Sequence, residues 1–173
     1  MDRIVTERLV LRRAREDDLE AMHAVLSDEE ATLFWSTPPH ATLDETRAWL
    51  ADMIASHPSQ SDDFIVEFEG RVIGKAGFFR LPDIGYILHP DCWGRGLATE
   101  ALKAVIAHAF AHHPLSAITA DVDPRNAASI RLLERLGFTF THSAERTWFI
   151  SGQWCDSLYY ALPRPTAASA GSG

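Results

Sequence analysis

Apolar positions recur along this chain with two different periods, and the alternation between them marks out a mixed α/β order. Arg8-Leu9-Val10-Leu11-Arg12 alternates with the two-residue period of a short strand. Leu19, Met22, His23 and Leu26 then share a helical face, with Asp17 or Asp18 as the N-cap. Pro38-Pro39 breaks the chain. Thr42-Leu43-Asp44-Glu45 reads as a capping box, opening a second helix whose apolar side is Leu43, Trp49, Leu50, Met53 and Ile54. Leu33-Phe34-Trp35 falls in the loop between the two helices. His57 to Asp63 is polar and predicts a loop. Phe64–Phe68, Val72–Phe79 and Ile84–Leu88 follow as strands, turned at Glu69-Gly70 and Leu81-Pro82-Asp83. The centre therefore begins as an antiparallel meander.

From Leu97 the period becomes helical. Leu97, Ala98, Ala101, Leu102, Val105, Ile106, Ala109 and Phe110 form one stripe, stopped by Pro114. Ala117–Val122 is the next strand. A strand, a long helix and another strand predict a right-handed crossover between parallel neighbours. Asp123-Pro124 is expected to open a further helix, with Ile130, Leu133 and Leu136 inside and Gly137 ending it. Phe138 onward reads as extended, and Ser151-Gly152 separates two aromatic-rich strands, Arg146–Ile150 and Trp154–Leu162. The Pro-, Ala- and Ser-rich end predicts one domain over residues 1–162 and a disordered tail over 163–173.

At 173 residues and 46% hydrophobic content the chain has enough material for one self-sufficient core. Sixteen Lys and Arg face 24 Asp and Glu, a net −8. That balance repels phosphate backbones and anionic lipid, which argues against a nucleic-acid or membrane partner and favours a cationic one. Cys92 and Cys155 form no metal or redox cluster and suit a reducing compartment. No apolar run approaches ~18 residues and no signal peptide is evident, so the expected location is cytoplasmic. The histidines show no metal-ligand spacing with acidic partners, so no metal is expected. His108, His112 and His113 read as the wet end of a helix.

The chemistry concentrates in Ile84-Gly85-Tyr86-Ile87-Leu88-His89-Pro90-Asp91-Cys92-Trp93-Gly94-Arg95-Gly96-Leu97-Ala98-Thr99-Glu100. A strand runs into a glycine-bearing loop that opens directly into a long helix. The unpaired N–H groups and partial positive charge of such a helix start suit a pyrophosphate. Ala98 keeps the first turn slim, and the Thr99 hydroxyl adds a donor. Neither the dinucleotide-fold glycine pattern nor a Gly-Lys-Ser/Thr phosphate loop is present. A connector without a ligand is the alternative.

Trp93-Gly94-Arg95-Gly96-Leu97-Ala98-Thr99-Glu100-Ala101 resembles the CoA-pyrophosphate loop of the GCN5-related N-acetyltransferase superfamily, and in particular its ribosomal-protein alanine acetyltransferase (RimJ/RimL-like) branch. Thr6-Glu7-Arg8-Leu9-Val10-Leu11-Arg12 resembles the branch's opening. Asn126-Ala127-Ala128-Ser129 with Leu132-Leu133-Glu134-Arg135-Leu136-Gly137-Phe138 resembles its second cofactor motif, and Gly152-Gln153-Trp154-Cys155-Asp156-Ser157 its final hairpin. The four occur in order from Thr6 to Leu162.

The resemblance implies a single-domain acyl-CoA N-acyltransferase fold: a mixed, largely antiparallel twisted sheet with a V-shaped central split and helices on both faces. It implies acetyl-CoA as co-substrate and direct transfer to a primary amine in a ternary complex. The acceptor would be a protein N-terminal α-amine, or alternatively a small amine, amino acid or amine-bearing antibiotic; a non-catalytic acyl-CoA sensor is the remaining alternative. Backbone groups of Tyr86, Ile87 and Leu88 would pair with pantetheine as an added strand. A bulge there would aim the Leu88 N–H at the thioester oxygen, a contact worth about 3 kcal/mol. Gly94, Arg95, Gly96, Leu97, Ala98 and Thr99 would hold the pyrophosphate, and Asn126 would orient pantetheine. Leu133 stands where many relatives carry a tyrosine acid, which leaves Ser129 to protonate the departing thiolate. Asp83, Glu145 and His89 are the candidate bases. Phe34, Trp35, Trp148 and Trp154 are the expected acceptor walls. The molecule is expected as a monomer or homodimer.

Overall fold

The computed structural model describes residues 3–166. Its strands are β1 (Arg3–Val5), β2 (Leu9–Arg12), β3 (Asp63–Phe68), β4 (Arg71–Arg80), β5 (Asp83–Leu88), β6 (Ala117–Val122), β7 (Thr139–Ile150) and β8 (Gln153–Pro163). Its α-helices are α1 (Leu19–Leu26), α2 (Leu43–Ala55), α3 (Leu97–His112) and α4 (Ala127–Arg135). The strands form one sheet in the order β1-β2-β3-β4-β5-β6-β8-β7, antiparallel throughout except for β5 beside β6. Alternate side chains of β3 feed opposite faces, as strand geometry requires. Phe64 and Val66 join the core under α3 and α4, while Ile65 joins Met22, Val25 and Leu26 of α1. The mixed sheet with helices on both faces is the architecture expected.

Several local expectations are corrected. β1 is too short and too exposed to leave a periodic signal. Asp18 does not cap α1 with its side chain; its carboxylate instead takes two hydrogen bonds from the Arg12 guanidinium, at 3.0 and 2.7 Å. In the Thr42–Glu45 box the Glu45 N–H donates to Thr42 Oγ1, but the Glu45 carboxylate reaches back to the Ala41 N–H. Asp63 belongs to β3, where it is buried against Lys75 Nζ at 2.7 Å. Helix α4 starts at Ala127, because Asp123 turns to grip Arg125 in a local loop. The strand expected at Arg146–Ile150 is the second half of a longer β7, bulged between Ala144 and Trp148. The chain does not loosen at Pro163. β8 includes it, and the Arg164 guanidinium donates to the carbonyls of Leu115, Phe110 and His113. Residues 167–173 of the expected tail lie outside the described residues.

The consequential feature is the β5–β6 contact. These strands register at a single pair, Asp83 with Thr119, and then diverge towards Leu88 and Val122. On its other edge β5 stays zipped to β4, from Phe78↔Ile84 to Gly74↔Leu88. The His89 N–H donates to the Ile73 carbonyl at 2.8 Å, which sets the alternation of that antiparallel ladder. The polar backbone groups of Ile87 therefore face β4, and those of Tyr86 and Leu88 face the opened side. Ile87 is thus removed from the expected set of backbone partners for a ligand.

The bulge expected in β5 is also relocated. The β4–β5 register is unbroken at Leu88, and the irregularity at this level lies in β4 at Ile73, opposite β3. Gly74 follows with φ 154°, and a Cβ there would stand 2.0 Å from the Ile87 carbonyl oxygen. No side chain fits without prising β4 from β5.

Of the three histidines near the end of α3, His112 is exposed as expected, but His108 and His113 are not simply wet. His108 Nε2 and His113 Nε2 lie 3.2 and 2.6 Å from one oxygen of buried Asp62, and Arg13 Nη1 lies 2.8 Å from the other. Burial pushes the Asp62 carboxyl up, but the His113 and Arg13 bonds and the neighbouring positive charges outweigh it and hold it below the usual carboxylate range. Burial lowers both His108 and His40 below the usual imidazole range.

A group depressed in the folded state contributes stability above its unfolded pKa and loses it as pH falls through the folded value. For these imidazoles the loss begins below about 6.5. The urea midpoint is therefore expected to fall between pH 7 and pH 5, and His40→Gln with His108→Gln should remove most of that slope. Equal wild-type midpoints at the two pH values would contradict the assignment.

Candidate active site

Two clefts meet at the open side of the split. The first, about 550 Å³, is lined by Tyr86, Ile87 and Leu88 of β5, by Cys92, Trp93, Gly94 and Gly96 of the loop, and by Leu97, Ala98 and Thr99 of α3. Asn126, Ser129, Arg131 and Arg135 line it from the α4 side. The loop holds its shape for local reasons. Gly96 is the N-cap of α3 at φ 75°, a left-handed conformation that costs an L-residue strain and leaves the first helical N–H groups without a side-chain cap. Trp93 lies across the strand end, its indole N–H donating to the Leu88 carbonyl at 3.0 Å. That bond occupies the Leu88 acceptor and leaves the Leu88 N–H facing the cleft. From behind, Arg8 Nη1 donates to the Arg95 carbonyl at 2.8 Å, and its Nε reaches Glu100 at 3.4 Å.

On the α4 side the Asn126 Oδ1 accepts the Ser129 N–H at 3.2 Å, so the asparagine is a helix cap as well as a cleft residue. Ser129 Oγ and Tyr86 Oη are hydrogen-bonded at 2.7 Å. Burial raises the Tyr86 phenol above its ordinary value, against smaller lowering effects from Ser129 and Arg135. Arg131 and Arg135, one turn apart on α4, bring positive charge to the same space.

The second cleft, about 470 Å³, is lined by Phe34, Trp35, Pro38, Pro39 and Trp148, with Glu29, Asp121, Asp123 and Asp156 among them. Among the described residues Arg125 is the one Lys or Arg that lines it, and it is committed: it grips Asp123 at 3.0 and 2.8 Å and lies over the Phe34 ring. That bond is the main cause that keeps Asp123 below the usual carboxylate range. Asp121 Oδ2 accepts the Trp148 indole N–H at 3.0 Å, which fixes the ring as a wall. Leu33, Phe34 and Trp35 line both clefts. This shared wall is anchored through Trp35, whose ring lies over the buried Lys75 ammonium that Asp63 holds.

Most of the residues expected from sequence converge here: Tyr86, Ile87, Leu88, Gly94, Gly96, Leu97, Ala98, Thr99, Asn126 and Ser129 around the first cleft, and Phe34, Trp35 and Trp148 around the second. Others do not. Asp83 sits at the closed end of the split, bonded by the Thr119 hydroxyl, with Arg80 at 3.8 Å. Five residues of extended chain, roughly 17 Å, separate it from Leu88. Glu145 lies exposed in the β7 bulge and lines neither cleft. His89 turns its Nδ1 to the Asp91 N–H. Trp154 packs on Phe149 under Arg146, outside both clefts. The Arg95 side chain lies over Phe68, and the residue lines neither cleft. Trp93, Arg131, Arg135, Asp121 and Asp156 line the clefts without having been singled out in the sequence. The four-residue spacing of the two arginines was the available signal; the tryptophan bond and the acidic lining arise only from the fold.

A split sheet with an uncapped helix start on one side and an aromatic, acidic cleft on the other defines the class of acyltransferases that draw on CoA. A family model described as "Acetyltransferase (GNAT) domain" matches residues 8–139. The chain belongs to the GNAT acetyltransferase family. It is 31% identical over 147 residues to an uncharacterized N-acetyltransferase, p20, of Bacillus licheniformis, covering 80% of this chain and 83% of that one. It is 29% identical over 180 residues to the ribosomal protein uS5 alanine N-acetyltransferase of Escherichia coli, covering 94% and 91%. In fold it matches the spermidine N-acetyltransferase of Vibrio cholerae, solved with CoA and spermine, at TM-score 0.77 and 20% identity over 92% of this chain and 97% of that one. It is thus an acyltransferase. Among the described residues no helix is long and apolar enough to cross a membrane.

The loop yields a direct test. Gly96→Glu puts a negative side chain, and strain at a left-handed φ, where the helix start faces the cleft. CoA affinity should drop by more than about 100-fold, equivalent to about 2.7 kcal/mol, while the circular dichroism spectrum stays native. Wild-type affinity in this variant would place CoA elsewhere.

Proposed function

We propose that the protein acetylates a primary amine on a small, cationic acceptor held in the second cleft, with acetyl-CoA in the first. The carrying observation is the acceptor cleft itself: four carboxylates and three aromatic or indole walls, with its one arginine already paired. Such a lining attracts an ammonium by charge and by the aromatic faces, and the volume is that of a small-molecule site. A protein N-terminus is the second reading, favoured by the likeness to the uS5 alanine N-acetyltransferase over nearly the whole chain.

The first cleft fits CoA on its own chemistry. The N–H groups at the start of α3, with Arg131 and Arg135, suit its phosphates, and the unpaired backbone of Tyr86 suits its pantetheine amides. Acetyl-CoA supplies an acyl carbon activated as a thioester. The Leu88 N–H donates towards the acyl oxygen, and Ser129 Oγ–H supplies the proton for the departing sulfur. The carboxylates that line the second cleft, rather than Asp83 or Glu145, are the proposed acceptors of the amine proton, directly or through water. The need is real for an alkyl amine, whose pKa lies near 10.4, and smaller for an α-amine near 8.

A thiol-release assay with acetyl-CoA and a panel of amines tests both readings. Aliphatic diamines should turn over faster than neutral-tailed amines and faster than Ala- or Ser-initiated peptides. Asp121→Asn with Asp156→Asn should raise KM for the diamine about ten-fold, the scale of one or two lost charged contacts, with KM for acetyl-CoA unchanged. Faster turnover of the peptides would establish the second reading. CoA binding without turnover of any amine would leave only a sensor.

A further inference from the structure

We propose that the Tyr86 hydroxyl is a positioning residue for acetyl transfer, holding the Ser129 hydroxyl aimed into the cofactor cleft and replacing the proton that Ser129 gives up. The inference rests on the acetyltransferase reading above and extends it to a side chain that reading leaves idle.

Three observations carry it. The Oη–Oγ distance of 2.7 Å is that of a well-formed O–H···O bond. The bond spans the split: Tyr86 rises from β5 and Ser129 from α4, so it ties the two banks of the cleft at a level where β6 has already diverged. Both side chains line the cofactor cleft, and Ser129 is fixed from its other side by the Asn126 cap.

A serine hydroxyl alone is a poor acid, since losing its proton would leave an alkoxide. A phenol behind it changes the balance. As the Ser129 proton passes to the sulfur, the Tyr86 proton passes to Ser129 Oγ, so the charge rests on a phenolate. The C–S bond breaks, the C–N bond forms, and the proton shed by the amine returns to Tyr86 through solvent. One N–H proton ends on sulfur, and both hydroxyls are restored. The phenol is in its protonated form at neutral pH, as this order requires, and because burial disfavours the phenolate the amine proton has to return to it within the same turnover.

The test uses Tyr86→Phe, Ser129→Ala and the double variant in the full chain, read by single-turnover rate, by CoA affinity and by ultraviolet titration of the phenols. Tyr86→Phe should slow transfer about ten-fold, the upper scale of one hydrogen bond between neutral groups. Ser129→Ala should slow it on the order of 10²-fold, and the double variant should be no slower than Ser129→Ala alone, as expected of groups acting as a unit. CoA affinity should hold in all three. Because Ser129 lowers the phenol's titration, Ser129→Ala should move the phenol that Tyr86→Phe deletes to higher pH. An undiminished rate in Tyr86→Phe, multiplicative losses in the double variant, or an unmoved phenol titration would overturn the proposal while leaving the acetyltransferase reading intact. Failure of the wild type to transfer acetyl to any amine would instead overturn that reading.

Discussion

Everything at this site depends on two strands that meet once and part. β5 and β6 register only at Asp83 and Thr119. Beyond that pair the backbone groups of Tyr86 and Leu88 face a gap instead of a neighbouring strand. Backbone donors and acceptors away from water demand partners, and here the Leu88 carbonyl finds one in the Trp93 indole. The same divergence gives the α3 start and the α4 start a common space to face. On the far edge of β5, Gly74 lets β4 close against Ile87 more tightly than any side chain would permit.

The two clefts divide the electrostatic labour in a molecule of net charge −8. Positive charge is scarce, and where it borders the first cleft it comes from a helix start and two arginines of α4. The second cleft keeps its carboxylates and neutralises its own arginine with Asp123. The wall between them is held by a buried pair, Lys75 with Asp63, under the Trp35 ring. A buried ion pair is seldom worth much in net stability. Its role here is geometric, since it fixes the segment that both reactants would touch.

Much of this was legible in the sequence, for physical reasons that differ by element. The α3 stripe and the meander were readable because their apolar periods are long and regular. The glycine loop was readable because a strand-to-helix transition with those residues has few uses. β1 was too short to show a period, and the start of α4 was misplaced because Asp123 and Asn126 are both good cap residues and only the fold decides between them. Asp83 looked chemical because it begins the strand that borders the cleft, yet it stands at the closed end, where the strands still pair. Glu145 and Trp154 were displaced by the bulge in β7, which has no reliable sequence signature. Asp62 lies in the loop expected of it, but its burial and its partners His108 and His113, read as solvated, were not legible, because a contact across more than forty residues leaves no local trace.

The most direct test of the split is amide hydrogen exchange followed residue by residue, with and without CoA. The N–H groups of Ile87 and His89, already paired to β4, should exchange slowly in both states. Those of Tyr86 and Leu88 should exchange fast in the free protein and become protected when CoA binds, together with the first N–H groups of α3. Slow exchange at Tyr86 and Leu88 in the free protein, or no added protection on binding, would contradict the account.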